Sequence, residues 1–473
     1  MTELWRIDQT LIKILNVLGP GWLVLALVVL LAVAFGRIVH ALLVATFVLV
    51  CTQVWWRPLY SFGHEIRWYL IGILFVRAIL VLAGSRRNPW EGQFARRIVV
   101  ALGGLALLSS GWADHPSFSF WMATSVCLGF AVTFGLLWRL SDDEEVIASF
   151  SRATVVLALL LFGWGFAVSG YAHTVGDRLL IAATQLGTGE RYKSFFINPN
   201  AAGVIGAVLL PIIIAAPPEY LGKVGRLRLF AIAVTAATIF LSGSRSALIG
   251  SVMTVGLLAV YRFGAGAFLT MAMGGVGIAA LAVYAPSDDI DEGALGHISR
   301  TKHLSTLSGR LELWQQGWDE AQDSLLIGHG WGASRALGGN VDLDYALDVG
   351  EVTGATNLHN AHLQLLIDVG VLGLGLFWAF CLCVLRSGYW ILRAARTPRN
   401  AFSLVIFASA LALLADTWVH GSIWSMGSPT TLVFWGLCAM ALKEGDRARR
   451  EVIADALQPA WAVPAPLAAA VAT

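Results

Sequence analysis

The sequence predicts an all-α polytopic membrane protein with one large, partly helical hydrophilic loop and about 12 transmembrane helices. Of its 473 residues, 57% are hydrophobic and only 13% are charged, which is about half the charged fraction of ordinary soluble proteins. So few charges cannot cover the surface of water-soluble domains, and lipid must therefore contact most of this chain. The net charge of +2 is also too close to balance to indicate a nucleic-acid-binding protein.

Apolar runs of membrane-spanning length recur along the whole chain. A bilayer core needs about 20 mostly apolar residues per helix, and shorter runs suffice where helices tilt or the membrane thins. There are thirteen such runs, and one of the early ones is expected not to cross, which leaves about 12 spans. The candidate runs lie at 20–36, 38–56, 68–84, 98–112, 118–138, 153–170, 200–216, 229–243, 246–261, 265–285, 361–385, 401–418 and 429–442.

Hydrophilic segments divide the chain into successive regions. Residues 1–19 carry apolar side chains at helical spacing and are predicted to form an amphipathic helix in the membrane interface. The transmembrane bundle is expected to have an N-terminal part at 20–285 and a C-terminal part at 359–443, separated by the large loop 286–358. The tail, 444–473, is expected to be disordered.

Basic residues predict the orientation, because cytoplasmic loops are enriched in Lys and Arg. Loops 113–117 and 419–428 contain neither residue, as expected for the opposite side. The pattern assigns the stretches 171–199 and 286–358 to the outer face, and it leaves the side of the N-terminus open. The segments predicted to be cytoplasmic are 85–97, 217–228, 386–399 and the tail that begins at Lys443.

The cysteines all lie within apolar runs, where they are expected to act as small buried hydrophobic residues. The large loop has none, so neither disulfides nor thiolate metal sites are predicted there. The residues concerned are Cys51, Cys127, Cys381, Cys383 and Cys438.

The first polar cluster on the predicted outer side precedes the 200–216 run and contains Arg191, Lys193 and Asn200. Asn200 is suited to capping the following helix, which is the simplest interpretation of this residue. Arg191 has no such explanation, because a cation beside a helix N-terminus is unfavourable unless an anion is bound.

The second cluster is the turn LSGSRSALIG at 241–250, between two short apolar runs. Its small residues allow close helix packing, and Arg245 is then a side chain that extends to the membrane surface. The alternative is a functional role, which the placement of an arginine on the outer side favours.

The third cluster is LSGRLELWQQGWDEAQ at 307–322, inside the large loop. It is predicted to form an amphipathic helix that lies on the membrane domain through an apolar stripe. Arg310, in the first helical turn, is again a cation at the positive end of a helix. The stripe consists of Leu311, Trp314, Trp318 and Ala321.

The fourth cluster is TNLHNAHLQLLIDVGVLGLG at 356–375. His359 and His362, with Asn360 between them, are predicted to lie on one face at the start of a membrane helix. A helix N-terminus favours the neutral imidazole, which can accept a proton. A metal site and a structural role are alternatives, although a third ligand at the usual spacing is absent.

Arginines and a histidine at one membrane surface are suited to sugar transfer from a pyrophosphate carrier. Guanidinium groups bind phosphate bidentately and keep their charge. Arg191, Arg245 and Arg310 are therefore expected to hold a pyrophosphate with no metal and no cofactor, while His359 takes the proton of an acceptor hydroxyl. The second-tier candidates are Lys193, Asn200, Asn360, His362, Asp416 and His420.

The order of these motifs resembles the O-antigen ligase and polymerase superfamily, and most closely O-antigen ligase. The likeness covers about residues 185–380: an Arg before NPN, an SGSR turn, an SGR followed by a Trp-containing helix, then HN before a DVGVLGLG run. One departure concerns the loop SLLIGHGWG, where Leu326 and Ile327 stand in place of the usual Pro, so the local shape of this loop is left open.

The resemblance implies a membrane glycosyltransferase of the GT-C type, inverting and metal-independent. By this resemblance, the essential histidine of the family corresponds to His359 and its essential arginines correspond to Arg245 and Arg310. Arg191 matches another arginine of the family. A ligase of this family transfers O-antigen from undecaprenyl pyrophosphate to lipid A-core, on the periplasmic face of the bacterial inner membrane, in lipopolysaccharide biosynthesis.

Two alternatives remain at this point. An O-antigen polymerase or a protein O-oligosaccharyltransferase would use the same donor and differ in the acceptor. A transporter of lipid-linked glycan, which belongs to another functional class, would need basic pocket residues but no base. Transporters often contain inverted repeats with paired broken helices, and none is visible in this sequence.

Overall fold

The computed structural model describes residues 20–54, 56–83, 94–138, 144–175, 191–263, 310–335, 358–394, 397–418, 421–424 and 428–457. Within these ranges the secondary structure is helical, apart from an isolated bridge between Val54 and Phe196. The helices are α1 (Pro20–Phe35), α2 (Ile38–Cys51), α3 (Arg57–Ala83), α4 (Phe94–Ser109), α5 (Pro116–Ala131), α6 (Glu144–Ala158), α7 (Trp164–Val175), α8 (Pro199–Ala215), α9 (Pro218–Leu221), α10 (Arg228–Leu241), α11 (Arg245–Phe263), α12 (Arg310–Asp323), α13 (Ala361–Arg393), α14 (Pro398–Asp416) and α15 (Pro429–Leu457).

The expected all-α membrane architecture is confirmed. In the described part of the chain, 6 helices are long and apolar enough to cross a membrane. They are Pro116–Leu136, Ile147–Ser169, Pro218–Leu241, Arg245–Phe263, Ala361–Arg393 and Pro398–Asp416, and the shorter apolar helices are Gly21–Phe35, His40–Cys51 and Pro199–Ala215. The total number of spans stays a prediction, because residues 1–19, predicted to form an interfacial helix, and the run 265–285 lie outside the described residues.

Helices α11 and α14 pack antiparallel through small residues. A Cβ atom on Gly250 would lie 3.1 Å from Cβ of Ala412, and the Thr254 hydroxyl donates to the carbonyl oxygen of Ala408 at 3.3 Å. The two contacts are one helical turn apart on each helix, and a further turn in the same register brings Ser246 level with Asp416. The start of α11 and the end of α14 therefore lie at the same end of the bundle.

Helix α13 is broken, and this corrects the expectation of a continuous span from residue 361. Val369 and Gly370 have non-helical backbone angles. In a straight helix, residues 362 and 378 would be about 24 Å apart, yet the rings of His362 and Trp378 stack with centroids 5.2 Å apart. Residues 361–368 therefore form a half-helix that folds back along the rest of α13.

The opposite end of the bundle is basic, and an ion-pair network joins α14 and α15 there. The Glu444 carboxylate accepts from Arg399 at 2.8 Å and from Arg447 at 2.9 Å, and the Ser403 hydroxyl donates to it at 2.6 Å. Lys443 donates to the carbonyl oxygen of Trp138 nearby. Two segments predicted to share the cytoplasmic side, 386–399 and the tail from Lys443, therefore meet here through Arg399 and Glu444.

Helix α15 continues to Leu457, so residues 444–457 are helical although disorder was expected from residue 444 onward. The reason is tertiary packing. Glu444 is buried in the ion network, and the bare Cα of Gly445 lets α15 approach Ser387 of α13 closely. The rest of the tail, 458–473, lies outside the described residues.

Replacing Glu444 with Gln is expected to destabilise the protein by about 3 kcal/mol, because two partly buried arginines lose a buried counter-charge. Burial raises the pKa of Glu444, but hydrogen bonds from Arg399 and Ser403 and the charges of both arginines outweigh it and lower the pKa below the usual value of 4.5. The network should therefore stabilise fully above about pH 4.5 and weaken as the pH falls through the lowered pKa. Thermal unfolding in detergent at several pH values measures both effects.

Glu451→Gln is the matched control, because its partner Arg447 is shared but its side chain is 42% exposed. An exposed ion pair contributes less than about 1 kcal/mol. Equal losses of stability in the Glu444→Gln and Glu451→Gln proteins would contradict the role assigned to the buried network.

Candidate functional site

The Arg191 side chain joins the first two polar clusters. Its Nε donates to the carbonyl oxygen of Ser242 at 2.5 Å, and its Nη2 donates to the side-chain oxygen of Asn200. The backbone amide of Tyr192 donates to the carbonyl oxygen of Leu241 at 3.0 Å. The segment before α8 is thereby fastened across the turn that connects α10 and α11.

A glycine permits this close approach. A Cβ atom at Gly203 of α8 would lie 2.6 Å from the Ser242 hydroxyl and 2.8 Å from Cβ of Ser244. Any side chain at position 203 would therefore push the turn, and Arg245 with it, away from α8. Gly243 in the same turn has a φ of 58°, which residues with a side chain rarely adopt.

The helix cap differs from the predicted one. Asn198 caps α8, with its side chain accepting from the amide of Asn200 at 2.8 Å and Pro199 in the first turn. Asn200 is therefore not the cap, and its side chain pairs with Arg191 instead. Lys193 lies in the same segment and is partly exposed.

Arg310 is the first residue of α12, which packs on the segment that carries His359. The Trp314 indole donates to the carbonyl oxygen of Leu358 at 2.7 Å. A Cβ atom on Gly317 would lie 3.0 Å from a methyl of Leu363. This contact brings the third and fourth polar clusters together.

The predicted amphipathic helix is present, but its buried face is narrower than the predicted stripe. Gly317 and Ala321 are the buried residues of α12. Leu311 is 47% exposed and Trp318 is 51% exposed. These two small residues form the contact because they allow the helix to approach α13 closely, and of the two only Ala321 belonged to the predicted stripe.

Arg310 interacts electrostatically with Asp416, the last residue of α14. Burial lowers the pKa of the Arg310 guanidinium, and the carboxylate of Asp416 opposes that shift. The guanidinium stays charged at any physiological pH. Asp416 is only 8% exposed, so the charge pair lies at the wall of the bundle and not in open solvent.

His359 lies in a strained turn before α13. Its φ is 50°, and among the described residues the other non-glycine with positive φ is Ser194, next to Lys193. Such strain persists where the surrounding structure enforces it and is often found at functional sites. The two strained residues thus lie in the two segments that carry Arg191 and His359.

His359 and His362 do not share a helix face, which corrects the prediction. Asn360 is the N-cap of α13, and its side chain accepts from the amides of His362 and Leu363, both at 3.0 Å. His359 therefore precedes the helix, whereas His362 is inside the first turn.

His362 has a structural position. It is buried, and its Nε2 lies 2.9 Å from the Thr417 hydroxyl. Its ring packs between Trp378 and Trp418. Together with the hydrogen bond from the amide of Ala361 to the carbonyl oxygen of Thr417, at 2.9 Å, these contacts fasten the start of α13 to the end of α14.

The structure therefore brings the candidates together in two groups at one end of the bundle. Arg310, His359 and Asn360 lie on segments joined to each other and to Asp416. Arg191, Asn200 and Arg245 lie around the turn at the start of α11, which the register places level with Asp416. His420 lies outside the described residues. Thr417, which bonds to His362, carries no charge and gave no signal in the sequence. Trp314, which bonds to the segment before α13, was predicted only as part of the apolar stripe.

An apolar cavity of about 600 Å³ is lined by residues of α2, α6, α8, α14 and α15. Near the site it is lined by Val204, in α8 just after Asn200, and by Leu413, one turn before Asp416. Further along it is lined by α2, α6 and α15, as far as Ile147 and Met440. Its length and apolar walls suit a hydrocarbon chain whose polar end lies at the charged cluster.

Comparison with known proteins gives one family match. Residues 230–378 match the Wzy_C family model, described as O-antigen ligase. The matched region includes Arg245, Arg310 and His359, and it confirms the resemblance seen in the motifs. No curated protein sequence matches the chain.

Proposed function

We propose, from the match of residues 230–378 to the O-antigen ligase family model, that this chain is an inverting, metal-independent glycosyltransferase. In this proposal it transfers O-antigen from undecaprenyl pyrophosphate to a sugar hydroxyl of lipid A-core, on the periplasmic face of the bacterial inner membrane. The observation that carries the proposal is the packing of α12 on the segment before His359, with Arg310 beside Asp416.

The roles follow from the chemistry of the side chains. The oxygen of the acceptor hydroxyl attacks the anomeric carbon of the donor sugar as the bond from that carbon to the phosphate oxygen breaks. His359 takes the hydroxyl proton, and the undecaprenyl pyrophosphate leaves with the bonding electrons. Arg191, Arg245 and Arg310 stabilise the negative charge that develops on the leaving group.

Two further features support a lipid-linked donor. The apolar cavity gives a polyprenyl chain a place beside the charged cluster. Asp416 holds Arg310 in position, because a buried carboxylate orients the guanidinium that it faces. A donor bound in this way would present its pyrophosphate at the level of Arg245.

The experiment that tests the proposal offers the purified protein a lipid-linked glycan together with separate acceptors. Lipid A-core should gain the glycan. Growth of a second lipid-linked glycan would instead identify a polymerase, and glycosylation of a protein acceptor would identify an oligosaccharyltransferase. Movement of the donor across a vesicle membrane with no transfer to any acceptor would contradict an enzyme and favour a transporter.

EDTA is expected to leave the transfer rate unchanged, because arginines neutralise the pyrophosphate in this proposal. The measurement is the initial rate of transfer before and after chelation, followed by addition of Mg²⁺ or Mn²⁺. Strict dependence of the rate on an added divalent cation would contradict the metal-independent mechanism.

A further inference from the structure

The break in α13 exposes backbone groups that a second segment satisfies. The loop 324–335, which follows α12, inserts into the break. Its residue His329 donates its amide to the carbonyl oxygen of Ile367 at 2.8 Å, and the amide of Val371 donates back to the carbonyl oxygen of Leu325 at 2.9 Å. These bonds replace helical hydrogen bonds that the break removes.

Two glycines make the insertion possible. Gly328 has a φ of 67°, and a Cβ atom there would lie 2.5 Å from the backbone nitrogen of Val369. Gly370 has a φ of 64°, and a Cβ atom there would collide with the backbone of Leu326. The loop and the break therefore fit each other only because both positions lack side chains.

The carboxylate of Asp368, at the end of the half-helix, also binds the loop. The side chain is 5% exposed, and Oδ1 accepts from the amide of Ser334 at 2.8 Å. The carboxylate also accepts from the amide of Gly332 and interacts with the charge of Arg335. The donors and the neighbouring guanidinium offset part of the cost of burying this carboxylate, and removing its charge leaves the arginine without its partner.

We call the contact of Asp368 with Gly332, Ser334 and Arg335 the latch. The loop is also bonded to the last residue of α4 and to the turn that follows it. The amide of Trp331 donates to the Ser109 hydroxyl at 2.9 Å, and the Trp112 indole donates to the carbonyl oxygen of Gly328 at 3.2 Å. Asp368 thus connects the end of the half-helix to a loop that α4 holds in place.

We propose that Asp368 is a positioning residue, which fixes the half-helix 361–368 so that His359 at its start keeps a set distance from Arg310. Asp368 is buried in the loop contact and touches no substrate in this proposal. The inference rests on the proposed function for the roles of His359 and Arg310, whereas the latch itself is a structural claim that can be tested separately.

The kinetic test compares Asp368→Asn with the wild type and with Asp323→Asn, an exposed carboxylate at the end of α12. Each rate of transfer is divided by the number of donor-binding sites, so that unfolded protein does not count. Asp368→Asn should lower kcat about 10- to 100-fold, because a displacement of about 1 Å at a reacting group has this effect. The KM for the donor should change by less than about twofold, and Asp323→Asn should behave as the wild type.

The structural test measures the distance between spin labels at Asp319→Cys on α12 and Glu219→Cys at the opposite end of the bundle, both exposed positions. A narrow distribution in the wild type that broadens with Asp368→Asn supports the latch. Native cysteines are replaced first, so that only these two positions carry a label.

Two results would overturn the inference. One is a kcat per donor-binding site in Asp368→Asn within about twofold of the wild type, or a loss that arises only from KM. The other is an unchanged label distribution. If the wild-type chain itself transferred no glycan, the proposed function would fail, and the spin-label distances would still decide whether Asp368 holds α12, which packs on the half-helix through Gly317 and Leu363.

Discussion

Replacing His359 with Asn is expected to lower the rate of glycan transfer by about 10²- to 10⁴-fold, because the acceptor hydroxyl loses its base. Asn is the right substitution here, since it tolerates the left-handed φ of 50° at this position better than Ala does. Binding of the lipid-linked donor should be unchanged, because the arginines that hold the pyrophosphate remain. Donor binding and single-turnover transfer, measured on the same preparation, separate the two effects.

His115→Ala is the matched control for this experiment. His115 is an exposed histidine that precedes α5, and its side chain caps no helix. The His115→Ala protein should transfer glycan at the wild-type rate. A His359→Asn protein that keeps more than about one tenth of the wild-type rate would exclude His359 as the general base.

Replacing Arg310 with Lys is expected to lower the rate by about 10²- to 10³-fold, although the positive charge is kept. Lys cannot bind a phosphate and a carboxylate through a planar fork, so it cannot face Asp416 and the donor in the same way. The loss should appear mainly in kcat, because the interaction strengthens as charge develops on the leaving pyrophosphate. Steady-state kinetics with varied donor concentration measures kcat and KM separately.

The partnership of Arg310 with Asp416 predicts non-additive effects. The double variant Asp416→Asn with Arg310→Lys should lose less transition-state stabilisation than the sum of the two single variants, because the second change removes an interaction that is already broken. Arg97→Lys, an exposed arginine at the opposite end of the bundle, should have no effect. Strictly additive losses in the double variant would contradict the coupling.

Several helices could be predicted from the sequence to within a few residues. The runs 200–216 and 229–243 became α8 (Pro199–Ala215) and α10 (Arg228–Leu241). The agreement has a simple cause, because an apolar segment in lipid must satisfy its backbone hydrogen bonds internally and therefore forms a helix. The break at Gly370 could not be predicted by this argument, because the loop that bonds to it lies more than thirty residues earlier in the chain.

The sequence allowed prediction of those candidate-site residues that carry an ionisable side chain. Arg191, Arg310 and His359 stood out because ionisable groups near membrane depth are costly and need a reason. The same rule also applies to Asp368, which the motif comparison treated only as part of a glycine-rich run. Asn200 and His362 were assigned by spacing, and their partners Arg191 and Thr417 come from distant parts of the chain.

The sequence by itself determined that this is a helical membrane protein and which charged residues require an explanation, because composition and apolar length depend on local chemistry alone. Only the tertiary structure decided which of those residues lie together. The fold-back of α13, the close packing at Gly317 and the electrostatic interaction of Arg310 with Asp416 all depend on segments far apart in the chain coming together. Such approaches are set by the absence of side chains at a few glycines, which no hydrophobic pattern reveals.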